Sequence, residues 1–159
     1  MAAYLSPFYT ALESLVSTAV PSLLQGAGGG GIWRASRIMR TPLDDVLLTY
    51  GTPFGIVHIA GLTAGDWGMS NYSYETRAEL FVVQQGAEDE EGMLTMLEAL
   101  RDGAETAIGT GSLSSGQLLE VLELSWSPQM PINQTATNKQ LDILAGMVAV
   151  RCVVGEIGP

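Results

Sequence analysis

Tyr74-Glu75-Thr76-Arg77-Ala78-Glu79-Leu80-Phe81-Val82-Val83-Gln84 is the stretch whose reading decides the fold class. A β-strand turns successive side chains to opposite faces. Tyr74, Thr76, Ala78, Leu80 and Val82 therefore share one face, while Glu75, Arg77 and Glu79 share the other. From Phe81 onward both faces are apolar. The run predicts a strand with one side in a core and the other side wet for at least half its length.

Downstream, Glu88-Asp89-Glu90-Glu91 opens a helical pattern, and carboxylates in a first turn complement the helix dipole. Met93, Leu94, Leu97, Leu100, Ala104, Ala107 and Ile108 recur at helical spacing, and Gly109 and Gly111 are expected to end the helix. Leu118 to Ser127 reads as a further strand. Residues 128–140, rich in Pro, Asn, Gln and Thr, read as a long loop. Leu144 to Val154 reads as a last strand, apolar on both faces apart from Arg151.

Upstream, Phe54 to Ala60, bounded by Pro53 and Gly61, is β-rich and predicts the first strand. The chain opens on a helix, with Ser6 suited to its cap and Pro7 to its first position. Phe8, Leu12, Leu15, Val16, Ala19 and Leu23 form its apolar face, and Pro21 should kink or restart it. Gly26 to Gly31 reads as a flexible linker. Trp33 to Arg40 reads as an extended or irregular arm carrying Arg34, Arg37 and Arg40, and Pro42-Leu43-Asp44-Asp45 as a short turn. The order helix, strand, strand, helix, strand, strand predicts an α+β fold: one mostly antiparallel four-stranded sheet packed against two helices. With 159 residues, no fixed-period repeat and no second core, one domain over 1–159 is expected, with residues 26–41 as linker and arm.

The net charge is −10, from 17 acids against 7 bases. Sequence-independent nucleic-acid binding, which rests on clustered Lys and Arg, is not expected. Only 15% of residues are charged and 47% are apolar, which suits a protein that buries part of its exterior against neighbours. The N-terminus lacks a basic region followed by an apolar run, so no signal peptide is expected. No apolar run reaches the ~20 residues of a membrane span. The two glycosylation-type triplets at Asn71 and Asn133 therefore read as polar loops.

No chemistry-bearing constellation stands out. The glycine run follows a helix and lacks a Gly-Lys-Ser/Thr, so it is not a phosphate loop. His58 and Cys152 are the only residues of their types, and valines around Cys152 mark it as core rather than nucleophile. Zinc would need more His and Cys. Asp44-Asp45 and Glu88 to Glu91 lack calcium-loop spacing and read as solvated acidic turns. Glu75, Glu79 and Glu123 form a carboxylate group whose general acid–base role would require a concave pocket. No catalytic residue, cofactor site or metal site is assigned.

The whole-chain layout resembles the small tail terminator and head–tail joining (tail completion) subunits of long-tailed bacteriophages. The resemblance runs through the opening helix from Pro7 to Leu24 and the Pro- and Asp-containing segment from Pro42 through Pro53-Phe54-Gly55-Ile56-Val57. It continues through the long strand Tyr74 to Gln84, the helix Glu88 to Ile108 and two closing strands, the last ending almost at the C-terminus. It covers nearly the full length but carries no short diagnostic motif. It implies a virion protein assembled in the host cytoplasm: a hexameric ring that caps the tail tube and docks the neck, with DNA passing through its channel without specific binding. Its partners would be other copies of itself, the tube or sheath protein and the neck connector. A different neck, baseplate or tube subunit, or a small enzyme or ligand-binding domain on a similar sheet, are the competing readings.

Two surface readings follow. Arg34, Arg37 and Arg40 can meet Glu88, Asp89, Glu90 and Glu91 of a neighbouring subunit, or both groups can simply be solvated. The wet face with Glu75, Arg77, Glu79 and Glu123 can line a DNA channel, or be an ordinary outer face.

Overall fold

The computed structural model describes residues 4–24, 30–35, 51–60, 63–64, 73–85, 90–127 and 143–155. Helix α1 spans Leu5–Ala19. Ser6 and Pro7 sit inside its first turn rather than at its cap, because the Phe8 N–H already bonds the Tyr4 carbonyl at 3.1 Å. Pro7 is tolerated there, since first-turn N–H groups have no partner within the helix. Phe8, Leu12 and Val16, spaced by four, are fully buried. Pro21 has the expected effect: α1 stops at Ala19 and a 3-10 turn covers Pro21–Leu23.

Part of the glycine run is stitched into the fold. The Gly31 N–H bonds Leu23 O at 2.7 Å, and Gly30 N–H bonds Pro53 O at 2.9 Å. Gly31 has φ +88°, a region L side chains avoid. The linker reading therefore fails at Gly30 and Gly31, while residues 26–29 lie outside the described residues. The chain next forms β1 (Ile32–Arg34) and, later, β2 (Phe54–Ile59), which run parallel with Trp33 opposite Ile56.

The other strands are β3 (Thr63–Ala64), β4 (Ser73–Gln85), β5 (Ser112–Leu113), β6 (Gly116–Ser127) and β7 (Ile143–Gly155). Helix α2 spans Glu90–Thr110. Gly109 lies within it, and the chain leaves it at Gly111, with φ +108°. The sheet order is β1-β2-β4-β7-β6-β5, with β3 paired to β4. The fold is thus α+β as expected. The four long strands are the four predicted, joined antiparallel, with three short strands added at their margins. The 128–140 loop and the 36–50 arm and turn lie outside the described residues.

Both helices cover one face of the sheet. Thr76, Ala78 and Leu80 of β4 pair with Cys152, Val150 and Val148 of β7, all buried beneath the helices. Helix α2 lies over β6 and β7, while α1 lies over β1 and β2. Two glycines set the depth of this packing. A Cβ on Gly116 would lie 2.5 Å from the Phe8 ring and 2.6 Å from Val153 O. A Cβ on Gly146 would lie 2.6 Å from Leu97. The helices therefore rest directly on strand backbone.

Candidate functional site

The wet face predicted from β4 exists, and it is larger than predicted. Arg77 of β4 stands opposite Arg151 of β7 in the register. Like charges facing each other across strands are unfavourable, and here each is enclosed by carboxylates. Arg77 Nη2 lies 3.1 Å from Glu123 and 3.4 Å from Glu79. Arg151 donates to Glu75 and to Glu120, both at 2.9 Å. The accepting carboxylates, Glu75 first and then Glu120, raise the pKa of Arg151 above its usual value. The structure thus brings together Glu75, Arg77, Glu79 and Glu123, and adds Glu120 and Arg151.

Glu120 was missed for a geometric reason. A spacing of three puts Glu120 and Glu123 on opposite faces of a regular strand. Strand β6 is irregular: its register against β7 shifts between Leu118 and Glu120 and again between Val121 and Glu123. A bulge inserts one residue and inverts the alternation beyond it, and the second shift, between the two glutamates, turns their spacing of three into one shared face. Both carboxylates therefore reach the face of the arginines. Arg151 was legible as a charge in an apolar strand, but only the register shows its partners.

The same face is not wet throughout. Phe54, Ile56 and Val83 point away from the helices and are fully buried. His58 stands opposite Glu79 on this face. Cys152 lies on the helix side, opposite Thr76. The two cannot form a nucleophilic dyad, because the sheet separates them. Burial pushes the Cys152 thiol up to about 12, so it remains protonated and inert at neutral pH. Among the described residues, no group of three or more His, Cys, Asp or Glu side chains is placed to hold a metal ion. Nor is any described helix long and apolar enough to cross a membrane.

The basic arm departs from expectation at Arg34. Its Nε lies 2.7 Å from Glu13 on α1, and its guanidinium stacks 4.8 Å from the Tyr9 ring. Arg34 is therefore a brace between β1 and its own α1, which engages the charge intended for a neighbour. Arg37, Arg40, Glu88 and Asp89 lie outside the described residues. Glu90 opens α2, and Glu91 is exposed on its first turn.

Two uncharged surface features remain. A groove of about 560 Å³ runs between α1 and α2, lined by Ala11, Ser14, Leu15, Thr18 and Ala19 on one side. Gly103, Thr106, Ala107, Thr110 and Leu113 line the other. Strand β6 has no partner beyond Gln117 on its outer side among the described residues. There it exposes Leu122, Leu124 and Trp126 at 45%, 38% and 41%.

Exposed ion pairs are each worth ~0–1 kcal/mol. Glu79→Gln and Glu123→Gln should each lower stability by no more than that. Glu79→Lys with Glu123→Lys surrounds Arg77 with cations and should cost about 1–2 kcal/mol at low salt, less when salt screens the repulsion. Thermal melts of both variants at two ionic strengths measure the difference. Equal melting at both strengths would mean the carboxylates do not balance Arg77.

No family model and no curated protein matches this sequence. A solved structure similar to it is a chain described as "Virion of native gene transfer agent (GTA) particle". It is 15% identical with a TM-score of 0.47, over 93% of this chain and 97% of that one.

Proposed function

We propose that this chain is a structural virion protein of the phage type, specifically a ring-forming tail terminator subunit. In that role it caps the tail tube, joins it to the neck and lets DNA pass through the ring. It acts by assembly and not by catalysis. The observation that carries the reading is the element order: amphipathic α1, first long strand, long β4, α2 and two closing strands, the layout on which the resemblance to tail terminators rests.

The charge arrangement supports the second half of the role. All four described arginines, at 34, 77, 101 and 151, are bound to carboxylates of the same chain. Phosphates gain affinity from cations that release counterions on contact. Paired arginines surrounded by surplus acids offer little of that gain. The face with Glu75, Arg77, Glu79, Glu120, Glu123 and Arg151 is the candidate channel lining, four acids against two bases.

Light scattering on the purified protein, alone and with tail tubes, tests the reading. A discrete cyclic oligomer, six-membered on the terminator reading, or attachment at tube ends is expected. A strict monomer at high concentration that also ignores tubes overturns it.

A further inference from the structure

The parallel pairing of β1 with β2 stops early, and a side chain takes the place it leaves. The Gly55 N–H bonds Gly31 O at 2.8 Å, so the amide of Gly55 points toward β1. Amides along a strand alternate between its two edges, which aims Val57 and Ile59 the same way. A parallel ladder continued in this register would offer Ile59 the carbonyl of Ala35, four residues past Gly31. Strand β1 ends at Arg34, however, and the backbone is helical at Ala35. The Ile59 N–H donates instead to the hydroxyl of Tyr9 on α1, at 3.0 Å. We propose that Tyr9 is an edge cap: its phenol oxygen stands where the next strand carbonyl would be and closes β2 to any further strand at that point.

The cap is held from two sides. Tyr9 and Glu13 are four residues apart on α1, so they are neighbours on one helix face. Arg34 pairs by register with Val57, a residue of the helix-covered side, so its side chain rises toward α1. There the guanidinium lies 4.8 Å from the Tyr9 ring, Nε donates to Glu13 at 2.7 Å and Nη2 reaches Thr10 Oγ1 at 3.4 Å. A cation this close to an aromatic face is attracted by the ring. One arginine thus fixes both the ring and the helix that carries it. Ile59 is only 8% exposed, so little water reaches its amide to replace the phenol. The last residue of β1 therefore positions the group that takes over from β1. A row of unpaired edge amides is a template for a strand of another chain, and proteins blunt such edges by covering them. Here α1 does so with one hydroxyl.

The inference is independent of the ring reading. Tyr9→Phe in the full chain removes the acceptor and keeps the ring. Hydrogen–deuterium exchange resolved to single amides should show Ile59 exchanging about tenfold faster, the scale of one lost hydrogen bond. Gly55, bonded by Gly31, should exchange as in wild type. Arg34→Met removes the clamp and should speed Ile59 about two- to fivefold, the scale of a partly exposed ion pair. High salt screens the same pair and should bring wild type toward that rate. Light scattering and thioflavin T binding at rising concentration test the seal, and Tyr9→Phe should form species larger than those of wild type. Unchanged protection of Ile59 in Tyr9→Phe, or equal acceleration at Gly55, overturns the cap. Faster exchange at Ile59 with assembly identical to wild type overturns the seal. A wild-type rate at Ile59 that ignores salt removes Arg34 from the device.

Discussion

Phe8→Ala is expected to lower stability by about 3–5 kcal/mol, the usual cost of truncating a buried phenylalanine. Phe8 is fully buried, and its ring lies against the backbone of β6 at Gly116. Removing it leaves a cavity that α1 cannot close, because Leu12 and Val16 already hold the helix at its present height. A melting temperature lower by on the order of 10 °C should follow for a chain of this length. Native-state hydrogen exchange should show α1 losing protection before the β4–β7 pair. A change under about 1 kcal/mol would mean that α1 is not fixed through this contact.

The second large effect is a coupling. Leu97→Ala alone should cost about 2–5 kcal/mol. Gly146→Ala alone should cost about 1–3 kcal/mol, because its new methyl would meet three side-chain carbons of Leu97 at 2.6–2.7 Å. Combined, the two should cost clearly less than their sum. The methyl then occupies space that Leu97 has vacated, and contacting residues couple by about 0.5–3 kcal/mol. Urea denaturation of the four proteins gives the cycle. Additive losses would show that Leu97 swings aside and that Gly146 does not set the height of α2.

The four long strands and both helices were legible because each carries its own period. Alternation in Thr76 to Leu80 and the four-residue spacing of Phe8, Leu12 and Val16 report burial on one side, and the structure buries those sides, whereas Tyr74 at the start of the same alternation is exposed at 38%. The short strands were not legible. β1 and β5 are three and two residues long, too short for a period to show, and they form because a long neighbour offers an edge. The tight hairpin between β5 and β6 needs Ser115 at φ 60°, and the Ser114-Ser115-Gly116 cluster was its signal. Arg34 shows a different limit. Its spacing from Arg37 and Arg40 suggested a basic arm, whereas its partner Glu13 lies 21 residues away. Ion pairs between distant segments leave no periodic trace. The candidate channel face was half legible for the same reason: β4 announced its own charges, but Glu120 shares a face with Glu123 only through the bulge between them.

The lone cysteine has a practical consequence for anyone who wants to watch this protein assemble. Cys152 is the chain's one thiol, and it is fully shielded in the middle of the sheet. Maleimide dyes react with thiolates, and this one stays protonated at neutral pH. The natural sequence therefore serves directly as a background for site-specific labelling, with no cysteine to remove first. A cysteine placed at Ser125 or Ser14 becomes the single reactive handle, one on the strand edge and the other on the groove wall. Energy transfer between such reporters then follows subunits as they approach, in real time and without disturbing the core.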